Sequence, residues 1–323
     1  MNEGCAGQLS ERPPHHRSVR HPLGTVGRVE TGGELTPVQQ RTLDALRRTE
    51  SPVVFDPAFI AELRADAVDG LAQLTERLDG HELNVNKKSV ADVLTCETHF
   101  IDAEPFAWTP AIACGKVAHR AIELQLNWRG EPTPAELVDD ALARLADDDS
   151  SLGDWIASLS PGDEADVRGR AVTKATQFVE CFPPLRRAWF PVTESQVRWP
   201  LDGPIALRAK ADLVIGRSTG NDSRKVLIDL KTGRIVARYR DDLRFYALVE
   251  TLSRELPPRA VASFSLEAGE AAVENVTESM LRSALRRALD AISRIIELTI
   301  EGCSPKPPPS ADCFRCRELA GFD

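Results

Sequence analysis

Apolar positions recur along this chain with two different periods. Ile60, Leu63, Ala67, Leu71, Leu74 and Leu78 step by three and four, the spacing of one helix face. Asp56-Pro57 opens that helix and Gly80 closes it. An earlier helix opens at Thr36-Pro37, with Gln39 completing a capping box. Ser89 is expected to cap a short third helix carrying Val90, Val93 and Leu94. Within 108–127, Val117, Ala121 and Leu124 would face inward, while His119 and Glu123, four apart, share a second face. Thr133-Pro134 with Glu136 caps a helix to about residue 146. The acidic, Ser-containing run 147–162 reads as a loop or partner-facing insert. A long helix over 163–181 then ends before Pro183-Pro184.

After residue 190 the period becomes two. Residues 192–199 alternate as a strand does. Two apolar runs, 205–215 and 225–231, flank a segment of Gly, Ser, Thr, Asn and Asp, which is a hairpin signal. A helix over 240–255 carries Leu243, Tyr246, Ala247 and Leu252. A strand follows over 260–266, and Thr277 caps a last helix to residue 301. This pattern predicts an α/β core, a central mixed β-sheet flanked by helices, with a helical N-terminal region. The expected organisation is a disordered leader (1–34, with His15, His16 and His21), a helical region (35–88), the core (89–302) and a Cys/Pro-rich tail (303–323).

The chemistry lies in the hairpin. Asp212 and Asp229 each interrupt an apolar run, and a carboxylate buried there is costly unless it is paired or binds a metal. Asp229 and Lys231 project from one side of their strand. Antiparallel pairing would bring Asp212 to the same face. Two carboxylates make a hard oxygen site suited to Mg²⁺ or Mn²⁺, and a lysine beside them can stabilise a developing anion.

Four stretches in order carry a family resemblance: Gly115-x-x-x-His119, Lys210-Ala211-Asp212-Leu213-Val214, Asp229-Leu230-Lys231-Thr232-Gly233 and Asp242-Leu243-Arg244-Phe245-Tyr246. Together they resemble the PD-(D/E)XK nuclease superfamily, in its RecB-type exonuclease branch with a restriction-endonuclease-like core. The match spans about residues 89–316. Ala211 stands where a glycine is common, and Asp242 replaces the glutamine of a Q-x-x-x-Y motif. The resemblance implies a metal-dependent DNA nuclease of repair or recombination, with His119, Asp212 and Asp229 as metal ligands and Asp212, Asp229 and Lys231 as catalytic residues. It also implies an iron–sulfur cluster of 4Fe–4S type in some members. Cys96, Cys313 and Cys316 match three of its four ligands here, with Cys303 as a substitute for the fourth and zinc as another occupant. Rival expectations are a non-catalytic DNA-binding module on the same fold, or a nuclease acting on RNA or in phage defence.

Charge and cysteines refine this. A net charge of −9 over 323 residues does not advertise a nucleic-acid binder. Local patches matter more, and 224–244 holds seven cations against three acids, with Arg240 and Arg244 beside Tyr246 as DNA contacts. No G-x-x-x-x-G-K-[ST] loop is present, so a helicase or repair partner would be a separate protein. Seven cysteines, no apolar run near ~18 residues and no apolar leader point to a reducing, cytoplasmic setting.

Overall fold

The computed structural model describes residues 34–47, 52–306 and 313. In chain order the elements are α1 (Pro37–Leu46), α2 (Pro57–Thr75), β1 (Leu83–Val85), α3 (Lys87–Thr95), α4 (Glu97–Ile101), α5 (Pro110–Asn127), α6 (Pro134–Asp148), α7 (Ser150–Ala157), α8 (Pro161–Cys181), a 3-10 turn (Arg187–Trp189), β2 (Val192–Trp199), β3 (Ile205–Ile215), β4 (Val226–Lys231), α9 (Tyr239–Arg254), β5 (Ala260–Ser265), β6 (Glu270–Asn275) and α10 (Glu278–Thr299). The predicted leader falls outside the described residues, apart from its last position, as do Cys316 and most of the tail. Residues from Leu35 onward form one unit. No helix among the described residues is long and apolar enough to cross a membrane.

Side-chain caps set the helix starts. Thr36 accepts from the Gln39 amide, and Gln39 accepts from the Thr36 amide. Thr133 and Glu136 repeat that exchange at α6. Three expectations need correction. Ser89 is not the cap of α3: Asn86 accepts from the amides of Lys88 and Ser89, while Ser89 Oγ accepts from the Asn86 amide. The helix therefore starts two residues earlier and takes in Lys87. α2 ends at Thr75 rather than at Gly80, because tighter bonds to Leu74 and Thr75 close the last turn, although Leu78 is still buried. The run 147–162 is mostly helical: α6 reaches Asp148, and Asp149 caps α7 by accepting from the Leu152 amide. The fully buried Leu152 anchors that acidic stretch to the core.

The sheet is mixed and built around β3. Leu207 pairs with Trp199 of β2 and with Val85 of β1; Val214 pairs with Val192 of β2 and with Leu227 of β4. So β2 runs along one edge of β3, while β1 and β4 share the other. β1 is parallel to β3 and takes its first residues; β4 is antiparallel and takes its last three, Leu213 to Ile215. Between them, residues 208–212 of β3 have no strand on that edge. Beyond β4 lie β5, parallel, and β6, antiparallel.

Helices cover both faces. Residues of α2, α3, α9 and α10 share a core with Leu207, Ala209, Ala211, Leu227 and Val261. Those of α1, α5 and α8 share another with Leu213, Ile228, Leu230, Ala262 and Phe264. A third core joins α5, α6, α7 and α8. Residues two apart on a strand normally share a face, yet Ala211 and Leu213 belong to different cores. The alternation of β3 breaks at Asp212. At the α3–α4 corner, Glu97 Oε2 accepts from Arg294 of α10 at 2.5 Å and from the Lys306 amide at 2.6 Å. Cys313 lies buried against Cys96.

Candidate metal centre

Asp212 occupies the fork where β3 and β4 part. Their ladder stops at Leu213 and Ile228, which leaves the Leu230 amide without a strand acceptor. Asp212 Oδ2 accepts from it at 2.7 Å. The other oxygen faces α5, where His119 Nδ1 stands 3.4 Å from Asp212 Oδ1. Burial alone would raise the Asp212 pKa; the His119 hydrogen bond and charge, with the Leu230 amide, outweigh it and hold the carboxyl below its usual range. Burial opposes a charged His119 too, but Asp212, Asp229 and Glu194 together raise its pKa.

The third member is Glu194, which the sequence reading did not single out. It lies across β2 from Asp212, and its φ is 53°, the left-handed region that side chains other than glycine seldom adopt. One donor atom each from His119, Glu194 and Asp212 fall within 4.8 Å of one another. An imidazole and two carboxylates form a donor set that fits Mn²⁺ or Mg²⁺. Lys210 neutralises Glu194 through an ion pair.

Asp229 stands outside this cluster and is held by two lysines. Lys87 Nζ donates to Oδ1 at 2.8 Å. Lys231 Nζ is 2.6 Å from Oδ2, at an angle that makes an ion pair but no hydrogen bond, so Oδ2 has no hydrogen-bond donor. Asp229 is only 3% exposed. A buried anionic oxygen lacking a donor is a further place where a cation fits. Both ammonium groups lie over aromatic rings, Lys231 over Tyr239 at 4.1 Å and Lys87 over Tyr246 at 4.8 Å.

The remaining sequence-predicted residues disperse. Tyr246 is buried among α9 and its neighbours, where desolvation pushes its pKa up to about 12. Arg244 is ion-paired with Glu274 of β6 at 2.5 Å, whereas Arg240 is exposed. Burial raises the carboxyl of Asp242 despite the nearby lysines. Glu123 pairs with Arg120 at 2.7 Å rather than joining His119. Gly115 faces Thr232 across the cleft; a Cβ there would sit 3.8 Å from the threonine methyl. Of the cysteines, Cys96 and Cys313 come together and Cys303 is exposed; Cys316 lies outside the described residues. His119, Glu194, Asp212, Lys231 and Tyr239 line an open cleft of about 1000 Å³ between α5 and the β2–β3 edge.

No protein-family model matches the chain, and no curated protein matches it. Among solved structures it is similar to a provisionally named exonuclease from Eubacterium rectale, at 11% identity and a TM-score of 0.46, over 79% of this chain and 91% of that one. A second structure, named without reference to any activity, is similar at 14% identity and a TM-score of 0.26, over 56% of this chain and 85% of the other.

Proposed function

We propose that the chain is a metal-dependent nuclease that hydrolyses phosphodiester bonds in DNA, with exonuclease-like action in repair or recombination. The observation that carries this reading is the convergence of His119, Glu194 and Asp212, within 4.8 Å, beside a buried Asp229 flanked by two lysines. His119, Glu194 and Asp212 would hold Mg²⁺ or Mn²⁺, with Asp229 as the adjoining carboxylate. When bound, the ion supplies a polarised phosphate and a more acidic water. The chain's own residues do the rest. Asp212 is kept ionised and oriented by the Leu230 amide, so its free oxygen is available as a ligand. Lys231, over Tyr239, holds a positive charge at the cleft wall where the phosphate's negative charge grows. Asp229 fixes the positions of both ammonium groups.

End-labelled single-stranded DNA, duplex DNA and RNA, each incubated with Mn²⁺, Mg²⁺ or EDTA, test the reading. Cleavage is expected with metal, absent in EDTA and absent in Asp212→Asn. Lys231→Ala should retain metal binding but slow cleavage by roughly 10²-fold or more, the scale of losing one charge stabiliser. No cleavage of any substrate with either ion would overturn the assignment.

A further inference from the structure

The outward face of the β2–β3 ribbon continues past the metal cluster, and the chemistry above makes no use of it. Glu194, Gln196 and Arg198 share a side of β2; Asp212, Lys210 and Arg208 share a side of β3. The register sets Gln196 opposite Lys210 and Arg198 opposite Arg208, and all four are exposed. The row thus starts at two acids and ends at two guanidinium groups. Like charges placed directly opposite in an antiparallel pair are destabilising. No acid among the described residues is ion-paired with Arg198 or Arg208.

A second cleft, of about 610 Å³, opens over this end. Lys87, Lys88, Arg198, Arg208 and Lys210 line it, Tyr246 contributes to its wall, and no acid does. Five cations without an acid invert the balance of a chain whose net charge is −9. Lys87, Lys88 and Lys210 are ion-paired with Asp229, Asp92 and Glu194, so the two arginines are the uncommitted charges. The cleft shares Gln196 and Lys210 with the metal-bearing cleft, and the two therefore adjoin. Arg208 is four residues from Asp212, about 13 Å along a strand.

We propose that Arg198 and Arg208, with Lys88 at the rim, form a track for the sugar–phosphate backbone of one nucleic-acid strand, a few nucleotides from the bond held at the metal centre. A backbone phosphate between the two arginines would relieve their repulsion, and Arg donors suit phosphate oxygens. The row is two β-strands wide, roughly 5 Å, which fits one backbone and not both strands of a duplex. The position of the cleaved bond rests on the nuclease reading; binding to the track does not.

Binding is therefore measured in EDTA, by fluorescence anisotropy with labelled 20-mers of dT, of rU and of a DNA duplex over a salt series. Arg198→Ala/Arg208→Ala is compared with wild type and with a charge-matched control, Arg254→Ala/Arg286→Ala, at exposed positions on α9 and α10. The track variant should bind single strands at least roughly ten-fold more weakly. Its slope of log K against log salt should fall by about 1.4, near 0.7 for each lost phosphate contact. The control should match wild type. Thermal midpoints should be unchanged or higher for the track variant, since a repulsive pair is removed. Loss on the dT arm, the rU arm or both supports the track and identifies the sugar it accepts. Unchanged affinity and slope, wild type binding no single strand, or duplex bound more tightly than single strands would each overturn it. A wild type that binds through the track yet never cleaves would sink the nuclease reading alone.

Discussion

Replacing Lys87 with methionine should destabilise the fold through one buried carboxylate. Asp229 is 3% exposed, and Lys87 supplies the hydrogen bond to its Oδ1, at 2.8 Å. A hydrogen bond to a charged group contributes about 1.5–3 kcal/mol, and breaking a fully buried ion pair costs about 3–5 kcal/mol. Two features place Lys87→Met at the lower end. Lys231 stays beside the other oxygen, and the Lys87 side chain is 26% exposed. The expected loss is about 2 kcal/mol, or about 5 °C in thermal midpoint for a unit of this size. Because the effect runs through Asp229, it should shrink in an Asp229→Asn background, giving a coupling of about 1–2 kcal/mol in a double-mutant cycle. Burial works to lower the Lys87 pKa, but Asp229 and Tyr246 outweigh it and the net shift is upward. A raised lysine stabilises at all pH below its unfolded value and loses that contribution only as pH rises through the folded one. The deficit of Lys87→Met should therefore be flat from about pH 6 to pH 9. Urea and thermal unfolding followed by circular dichroism in EDTA measure all of this. An unchanged midpoint, or strict additivity with Asp229→Asn, would refute the argument.

Further expectations follow from the same geometry. Glu194→Gln should weaken Mn²⁺ binding by at least about ten-fold, read by electron paramagnetic resonance of free Mn²⁺, because it removes one of two clustered carboxylates; unaltered affinity would take Glu194 out of the site. Gly216→Ala should cost several kcal/mol, since its φ is 90° and an added Cβ would meet the Arg224 carbonyl oxygen at 2.3 Å. Gly115→Ala, meeting only ordinary contacts, should hold stability within about 1 kcal/mol; both are read by urea titration. The hydrogen bond from Arg294 holds the Glu97 carboxyl below its usual range. Glu97 therefore adds stability above its unfolded pKa and loses it as pH falls through the folded value. Arg294→Met should flatten that acidic segment of the stability profile, and a profile matching wild type would contradict the pairing.

Much of the architecture is legible in local chemistry. Thr-Pro and Asp-Pro pairs mark helix starts because the side-chain oxygen and the fixed proline φ act within one turn. The hairpin of β3 and β4 shows as two apolar runs around a polar turn, and the acid within each run signals the site. What escaped depended on longer-range terms. Glu194 looks like any outward charge on an alternating strand; only the cross-strand approach of Asp212 and a left-handed backbone give it a role. Lys87 lay outside the predicted helix because Ser89 resembles a cap, whereas Asn86 competes better with two acceptor bonds. β1 is three residues long, too short for a period to register, and β6 alternates only between half-buried and exposed positions. That missed strand carries Glu274, the partner of Arg244, so the cationic run 224–244 is more neutralised in space than along the chain.

The corner at Cys96 and Glu97 has a consequence in time. Its partners are the Lys306 amide, 209 positions later, and Cys313, later still. α3 begins with Lys87, the residue that reaches Asp229, and ends against this corner. During synthesis, therefore, the sheet and the acids of the fork emerge well before the segment that secures α3. A nascent chain stopped after β6 would already contain His119, Glu194, Asp212, Asp229 and Lys231, while α3 lacked both α10 and the returning tail. Assembly of the centre is thus ordered by translation: the charge that steadies Asp229 locks last, and a shortened product carries the ligands without the brace.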